Sequence, residues 1–184
     1  MSTAIQVPLM TAEEFAIRHD GDRYELVDGL LEPIMPAGTR HGQIRMDAAI
    51  IIGGYIKSQK LGLACTNDTY VLTRRNPDRV RGGDVVFWSR NRWNGTDVPD
   101  AILETPPDLV VEVRSPNDRW GTMLAKVGEY LNGGIGVVVV LDPKSMSASI
   151  HRQDELQQVR HNGDDFELPD VLPGFKVPVA KFFE

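Results

Sequence analysis

The segment from Leu109 to Leu141 restricts the architectures open to this chain more than any other. Leu109–Val113 is apolar apart from Glu112, and Ser115-Pro116 stops it. A helix is expected next, capped by Asn117 or Asp118, running to about Leu131 and ended by Gly133-Gly134. Ile135–Leu141 then has the composition of a buried strand. A strand–helix–strand unit usually makes two parallel strands joined by a right-handed crossover. The fold class that follows is α/β, with a central mixed sheet flanked by helices.

The flanking segments fit that frame. Thr11-Ala-Glu-Glu14 is a capping box before a short helix whose Phe15 faces inward. Asp28-Gly29 between Tyr24–Val27 and Leu30–Met35 signals a hairpin, and Pro33 and Pro36 make its second strand short or an edge. Ile44, Ala48, Ile51, Ile52, Tyr55 and Ile56 have helical spacing, predicting a helix from His41 to about Lys60. Strands are expected at Leu63–Cys65, Tyr70–Leu72, Val85–Trp88 and Ala148–His151, with a loop from Asn91 to Pro107. Short strands and a Leu-Pro-Gly-Phe segment close the chain, and no internal repeat is present.

A length of 184 residues suits one domain spanning 1–184, and 41% hydrophobic content is enough for a core without disulfides. The formal net charge of -6 argues against a tight non-specific nucleic-acid binder, so a nucleic-acid contact needs a local basic patch. Cys65 is the single cysteine, which excludes an internal disulfide and a multi-thiolate zinc site. A small buried hydrophobe is its ordinary role. No charged-then-apolar leader stands at the N-terminus and no apolar run reaches the roughly 20 residues of a membrane span. A cytoplasmic protein without membrane partners is the expectation.

Two carboxylates stand out. Asp84 is placed at the start of the strand Asp-Val-Val-Phe-Trp, and Glu112 near the end of Asp108–Val113. A carboxylate within an apolar strand must be paired, hydrogen-bonded or metal-bound, because burying an unpaired charge costs several kcal/mol. With Val110 and Glu112 on one face, Leu109, Val111 and Val113 line the other. Lys126, on the following helix, can reach back to the carboxylate end of that strand. Two acids with a backbone carbonyl and waters can hold Mg²⁺ or Mn²⁺, and a lysine can orient a water or steady phosphoryl charge. The competing structural roles are a strand residue bonded to backbone for Asp84, an ion-pair partner for Glu112 and a solvated helix residue for Lys126.

The motifs in order are Tyr24-Glu-Leu-Val-Asp-Gly29, Arg40-His41, Val80-Arg-Gly-Gly-Asp84 and Asp108-Leu-Val-Val-Glu-Val-Arg-Ser-Pro116. Lys126-Val-Gly-Glu-Tyr-Leu131, Val140-Leu-Asp-Pro143 and Val171-Leu-Pro-Gly-Phe175 continue the series. Jointly they resemble the PD-(D/E)XK nuclease superfamily, and within it the Uma-type restriction-endonuclease-like family of bacteria. The resemblance implies a restriction-endonuclease-like fold with metal held by Asp84, Glu112 and the Val113 carbonyl. It makes Glu25 and His41 further site candidates. The superfamily's lysine usually stands two residues after the second acid, where this chain has Arg114. The Uma-type pattern takes it from the next helix, where Lys126 stands. Two positions depart from the pattern: Gly83 replaces the proline before the first acid, and Leu30 replaces an acid after Asp-Gly, with Glu32 two residues later.

The activity implied is a metal-dependent endonuclease cleaving phosphodiester bonds, with DNA as substrate. Homodimerisation is compatible with it, because paired strand cuts need two sites. The rival reading is a catalytically silent nuclease fold that binds nucleic acid or protein. A cysteine hydrolase using Cys65 and His41 is the weakest alternative, since Leu-Ala-Cys-Thr has no nucleophile-elbow pattern. Arg74, Arg75, Arg79, Arg81, Arg90 and Arg92 could touch phosphates or form a solvated face. Trp88, Trp93 and Trp120 could stack on bases, with core packing the commoner use.

Overall fold

A computed structural model describes residues 8–36, 38–95 and 97–184. Helix α1 (Ala12–Arg18) precedes the hairpin β1 (Tyr24–Val27) and β2 (Leu30–Pro33). Helix α2 (Thr39–Ala48) runs through a π turn (Ala49–Gly53) into α3 (Gly54–Ser58). Then come β3 (Gly62–Arg74), β4 (Arg79–Ser89), β5 (Leu109–Val113), α4 (Trp120–Asn132), β6 (Val137–Asp142), β7 (Ser147–Arg152) and β8 (Gln158–His161). The chain ends with β9 (Asp165–Glu167), β10 (Lys176–Pro178) and a 3₁₀ turn (Val179–Phe183).

Local chemistry accounts for the starts and turns. The Thr11 hydroxyl accepts from the Glu14 N–H at 3.2 Å, and the Glu14 carboxylate accepts from the Thr11 N–H at 3.1 Å, which completes the capping box. Asp28 and Gly29 both have positive φ, 55° and 76°, as a two-residue turn between Val27 and Leu30 requires. Pro33 closes β2, which lies at the sheet edge, where no neighbour needs its missing N–H.

The main sheet has eight strands in the order β2-β1-β4-β5-β6-β7-β8, with β3 paired to β4. Strands β5 and β6 run parallel, joined through α4, and the remaining pairs in this sheet are antiparallel. The alternation of β5 holds. Leu109, Val111 and Val113 pack with Ile44, Ala48 and Ile52 of the α2 side, whereas Val110 packs with Met123, Val127 and Tyr130 of α4. Burying each such side chain contributes roughly 1.5–3 kcal/mol, which is what supports charged groups inside the same sheet. Phe166, Leu168, Leu172 and Phe182 of the C-terminal segment complete the core on the α2 side.

The π turn was not anticipated, yet it follows from spacing. Ile44, Ala48, Ile52 and Ile56 are all fully buried and stand four residues apart. At 3.6 residues per turn each step of four drifts by about 40°, so three steps would rotate the last residue off the core. The wider π turn at Ala49–Gly53 takes up that drift.

Three expectations are corrected. Leu63–Cys65 and Tyr70–Leu72 belong to one long strand, β3, broken by a bulge between Thr66 and Thr69. Asn67 and Asp68, with φ of 70° and 57°, let two residues face the single residue Asp84, and their polarity made the segment look like a loop. Strand β4 begins at Arg79, so Asp84 is mid-strand rather than at the start. The charges of Arg79 and Arg81 hid that extension. Helix α4 begins at Trp120 without a side-chain cap, and Asp118 instead accepts from the Ser115 N–H at 2.8 Å, fixing the preceding turn. Among the described residues no helix is long and apolar enough to cross a membrane.

Strand β4 has eleven residues, and β3 covers one edge over nearly its whole length. The other edge is shared. Strand β1 pairs with it at Val80 and β5 pairs with it from Val85 to Phe87, leaving Arg81–Asp84 between them. Gly83 lies in this gap, where an added Cβ would stand 2.5 Å from Val86 Cγ2 and 3.4 Å from Val110 Cγ1. Gly83→Ala is therefore expected to lower stability by about 1–3 kcal/mol through overpacking. Urea denaturation tests this, and an unchanged midpoint would show that the space is not limiting.

Candidate active site

The gap in β4 leaves main-chain groups that side chains must satisfy. The Gly82 N–H donates to Glu25 Oε1 at 3.0 Å, from β1. The Val113 N–H donates to Asp84 Oδ2 at 2.6 Å, from β5. The Gly82 carbonyl accepts from Lys126 Nζ at 3.2 Å, with the Tyr130 hydroxyl also 3.2 Å away. Two carboxylates, a lysine and a tyrosine thus gather at the place where two strands meet along a third.

Lys126 is the hub. Its Nζ lies 3.1 Å from Glu25 Oε1 and 3.1 Å from Glu112 Oε1. Tyr130, one turn on along α4, donates its hydroxyl to Glu112 Oε1 at 2.6 Å. Arg81 Nη1 donates to Glu25 Oε2 at 2.6 Å and the same guanidinium pairs with Glu129 at 2.7 Å. Burial pushes the Glu112 carboxyl up to about 7; Lys126 pulls it down, but the neighbouring Asp84 and Glu25 charges oppose that pull. Burial also acts on Glu25, but Lys126, Arg81 and the Gly82 N–H outweigh it and hold that carboxyl below its ordinary value. Burial disfavours the Lys126 ammonium, yet Glu112, Glu25 and Asp84 together hold its proton more firmly than usual. Burial, then the charges of Glu112 and Glu25, push the Tyr130 phenol well up, so it remains a donor. Of these acids Glu112, at 5% exposure, is the one that takes up a proton.

Asp84 is compensated from the other side of the sheet. Arg45 Nε of α2 lies 2.7 Å from Asp84 Oδ1. Arg45 Nη2 lies 3.0 Å from Asp68 Oδ2 on the bulge, but off the hydrogen-bonding direction, and it has no aligned acceptor among the described residues. His41, one turn earlier on α2, places Nε2 3.7 Å from Asp84 Oδ2, and neither ring nitrogen has a hydrogen-bond partner among the described residues.

All six residues singled out from the sequence line one cleft of about 1070 Å³: Glu25, His41, Asp84, Glu112, Val113 and Lys126. Nine carboxylates line it against four lysine or arginine side chains, so it carries an excess of negative charge. Glu25 is buried. His41 does not cap α2, whose N-cap is Gly38.

Arg45 and Tyr130 were missed. Each stands four residues after a candidate, His41 and Lys126, and that helical spacing was the available signal. The arginine run is tied up within the chain. Arg74 and Arg79 pair with Asp28, Arg75 with Asp78, and Arg81 with Glu25. Arg90 donates to the Lys60 carbonyl and Arg92 to that of Pro106. Arg114 pairs with Asp142 at 3.2 Å, donates to the Asp118 carbonyl and covers the Trp120 ring at 5.0 Å. Trp88 is a core residue whose indole N–H donates to Thr105. Cys65 lines a separate cavity of about 520 Å³, and burial pushes its thiol up, away from thiolate chemistry.

The family described as "Uma2: Putative restriction endonuclease" matches residues 11–180. The chain belongs to this family. Among solved structures, that of "a putative nuclease belonging to DUF820" from Anabaena variabilis ATCC 29413 superposes with a TM-score of 0.78. It is 18% identical, and the match covers 95% of this chain and 97% of that one. At that identity the likeness is one of fold, and the fold is the restriction-endonuclease-like one expected. No curated protein matches the chain significantly.

The departures from the Uma-type pattern now have structural settings. Gly83 sits where Val86 leaves no room for a side chain. Leu30 is half exposed on the edge strand, while Glu32 reaches Arg81 at 3.3 Å from an exposed position. Arg114, at the usual lysine position, is turned into the Asp142 pair, and Lys126 supplies the ammonium instead.

Replacing Lys126 by Met leaves Glu25 and Glu112 facing each other. With one fifth of the lysine side chain exposed, the expected loss is about 3 kcal/mol, the low end for a broken buried pair. Adding Glu112→Gln should recover part of it in urea denaturation; no loss in the single variant would overturn the pairing. Glu112 also makes stability depend on pH. Its folded-state value near 7 exceeds the ordinary 4.5, so between these values the native chain holds more protons than the unfolded one. Its contribution is complete below about 4.5 and lost as pH rises through about 7. Metal-free wild type should therefore lose stability relative to Glu112→Gln across that window, and parallel curves would contradict it.

Proposed function

We propose that this chain is a Mg²⁺- or Mn²⁺-dependent endonuclease that hydrolyses phosphodiester bonds in DNA. The observation that carries the reading is that Asp84 and Glu112, from adjacent strands, meet one cleft with Lys126 against Glu112. Membership of a family described as restriction endonucleases supports the reaction class.

The donor set fits a hard cation. Asp84 and Glu112 offer oxygen, and no group of three or more His, Cys, Asp or Glu side chains is placed to hold a metal among the described residues. Mg²⁺ suits so small a set because it keeps several waters and often takes only one or two carboxylates. Burial, with the charges of Asp84 and Glu25 added, pushes the Glu112 carboxyl up, and a cation beside these acids would relieve that. Asp84 and Glu112 would hold the ion, with the Val113 carbonyl as a further donor. When bound, such an ion polarises a phosphoryl oxygen and makes a bound water more acidic.

The chain's own residues prepare the rest. Lys126 presents its ammonium beside Glu112, where it can orient a water or steady phosphoryl charge. Glu25 holds that ammonium from the far side, and Tyr130 fixes the rotamer of Glu112. His41 contributes a ring whose nitrogens are uncommitted among the described residues, next to Asp84. Two copies in a homodimer would cut both strands of a duplex.

A second reading, a nuclease fold that binds without cutting, is favoured by one observation: both acids already have internal cations, Arg45 and Lys126. Incubation with plasmid, single-stranded and branched DNA separates the two. Wild type should cut with Mg²⁺ or Mn²⁺ and not with EDTA, and Glu112→Gln should lose about 100-fold or more, as loss of a metal ligand implies. Equal cutting by both proteins would remove Glu112 from the site, and no cutting by either folded protein favours the silent binder. Metal binding should release a proton from Glu112 and so strengthen as pH rises through about 7; calorimetry in buffers of different ionisation enthalpy checks this independently of activity.

A further inference from the structure

Resting on the reading of Asp84 as a metal ligand, we propose that Arg45 is a phosphate-binding residue held on Asp84 until metal and nucleic acid arrive together.

The cleft sets the problem. Its acids outnumber its lysines and arginines, and a polyanion entering it meets few available cations. Lys126 is held by Glu25 and Glu112, and Arg81 by Glu25 and Glu129. Each of these is anchored from several sides, and Lys126 also donates to the Gly82 carbonyl. Arg45 is held differently. Its shortest contact is the ion pair from Nε to Asp84 Oδ1 at 2.7 Å. Its Nη2 pairs with Asp68 at 3.0 Å, a carboxylate whose side chain is 41% exposed, against 6% for Asp84. The shorter and more buried contact is therefore to the carboxylate that a metal ion would claim.

A cation entering at Asp84 competes with the guanidinium for the same oxygens. Once displaced, Arg45 keeps its place on α2 beside the cleft, with a planar fork suited to phosphate. The exchange has a thermodynamic signature. Metal alone pays for breaking the Arg45–Asp84 pair, whereas metal with a phosphodiester gives Arg45 a new anion. Each ligand then strengthens the other by the same factor, on the order of ten-fold for a coupling of this kind.

Calorimetric titration with Ca²⁺, with and without a short mixed-sequence DNA duplex, reads the coupling without turnover. Wild type should bind Ca²⁺ weakly alone and about ten-fold more tightly with the duplex. Arg45→Met should bind Ca²⁺ alone more tightly than wild type and show little enhancement. Arg45→Gln, which can still hydrogen-bond Asp84 without a charge, should behave the same way and serves if the Met variant does not fold. Variants that bind Ca²⁺ no more tightly than wild type, or that keep the enhancement, overturn the role of Arg45. So does a wild type without enhancement. Asp84→Asn distinguishes the underlying reading: Ca²⁺ binding unchanged in that variant means that the metal does not sit on Asp84, and both conclusions fall.

Discussion

Strand β4 cannot pair continuously along the edge it presents to β1 and β5. Between Val80 and Val85 two neighbours give way to each other, and main-chain groups there need partners. A loop at this point would leave them to water; here the gap is buried and side chains take their place. Glu25 accepts from Gly82, Asp84 accepts from Val113, and Lys126 donates to the Gly82 carbonyl. The residues that complete the sheet are thus the residues that line the cleft. The same constraint explains two glycines in a buried strand, since Gly83 has no room for a Cβ and one at Gly82 would press on Asp68 at 3.0 Å.

Buried acids demand cations, and the fold supplies them from both faces. Helix α4 brings Lys126 to Glu25 and Glu112, while α2 brings Arg45 to Asp84. Each pair is stabilising only relative to an unpaired charge, because desolvation offsets much of the attraction. Such an arrangement is hard to justify as stability alone. It keeps charged groups poised beside a cleft, with negative charge in excess and Glu112 partly protonated near neutral pH. Perturbed carboxyls of this kind cluster at functional sites.

The bulge and the π turn serve the same region from outside it. Asn67 and Asp68 face Asp84 across the β3–β4 pair, and the extra residue brings the Asp68 carboxylate to Arg45. The π turn keeps Ile44, Ala48, Ile52 and Ile56 on the core, which fixes the roll of α2 and so the direction of His41 and Arg45. Both irregularities insert a residue into a regular element, at the two elements that meet Asp84.

The sequence by itself determined the parallel β5–α4–β6 unit, the Asp-Gly hairpin and the capping box, because each depends on local spacing and turn chemistry. It also marked Asp84, Glu112 and Lys126, since charge inside apolar periodicity is visible in one dimension; the order of motifs added Glu25 and His41. Only the tertiary structure decided what those charges face. Whether Arg81 meets a phosphate or Glu25, whether Arg114 enters the site or turns to Asp142, and that Arg45 closes on Asp84 are settled by elements far apart in the chain. Backbone pattern is set by near neighbours, whereas the partner of a long charged side chain is chosen by the low-dielectric surroundings that packing creates.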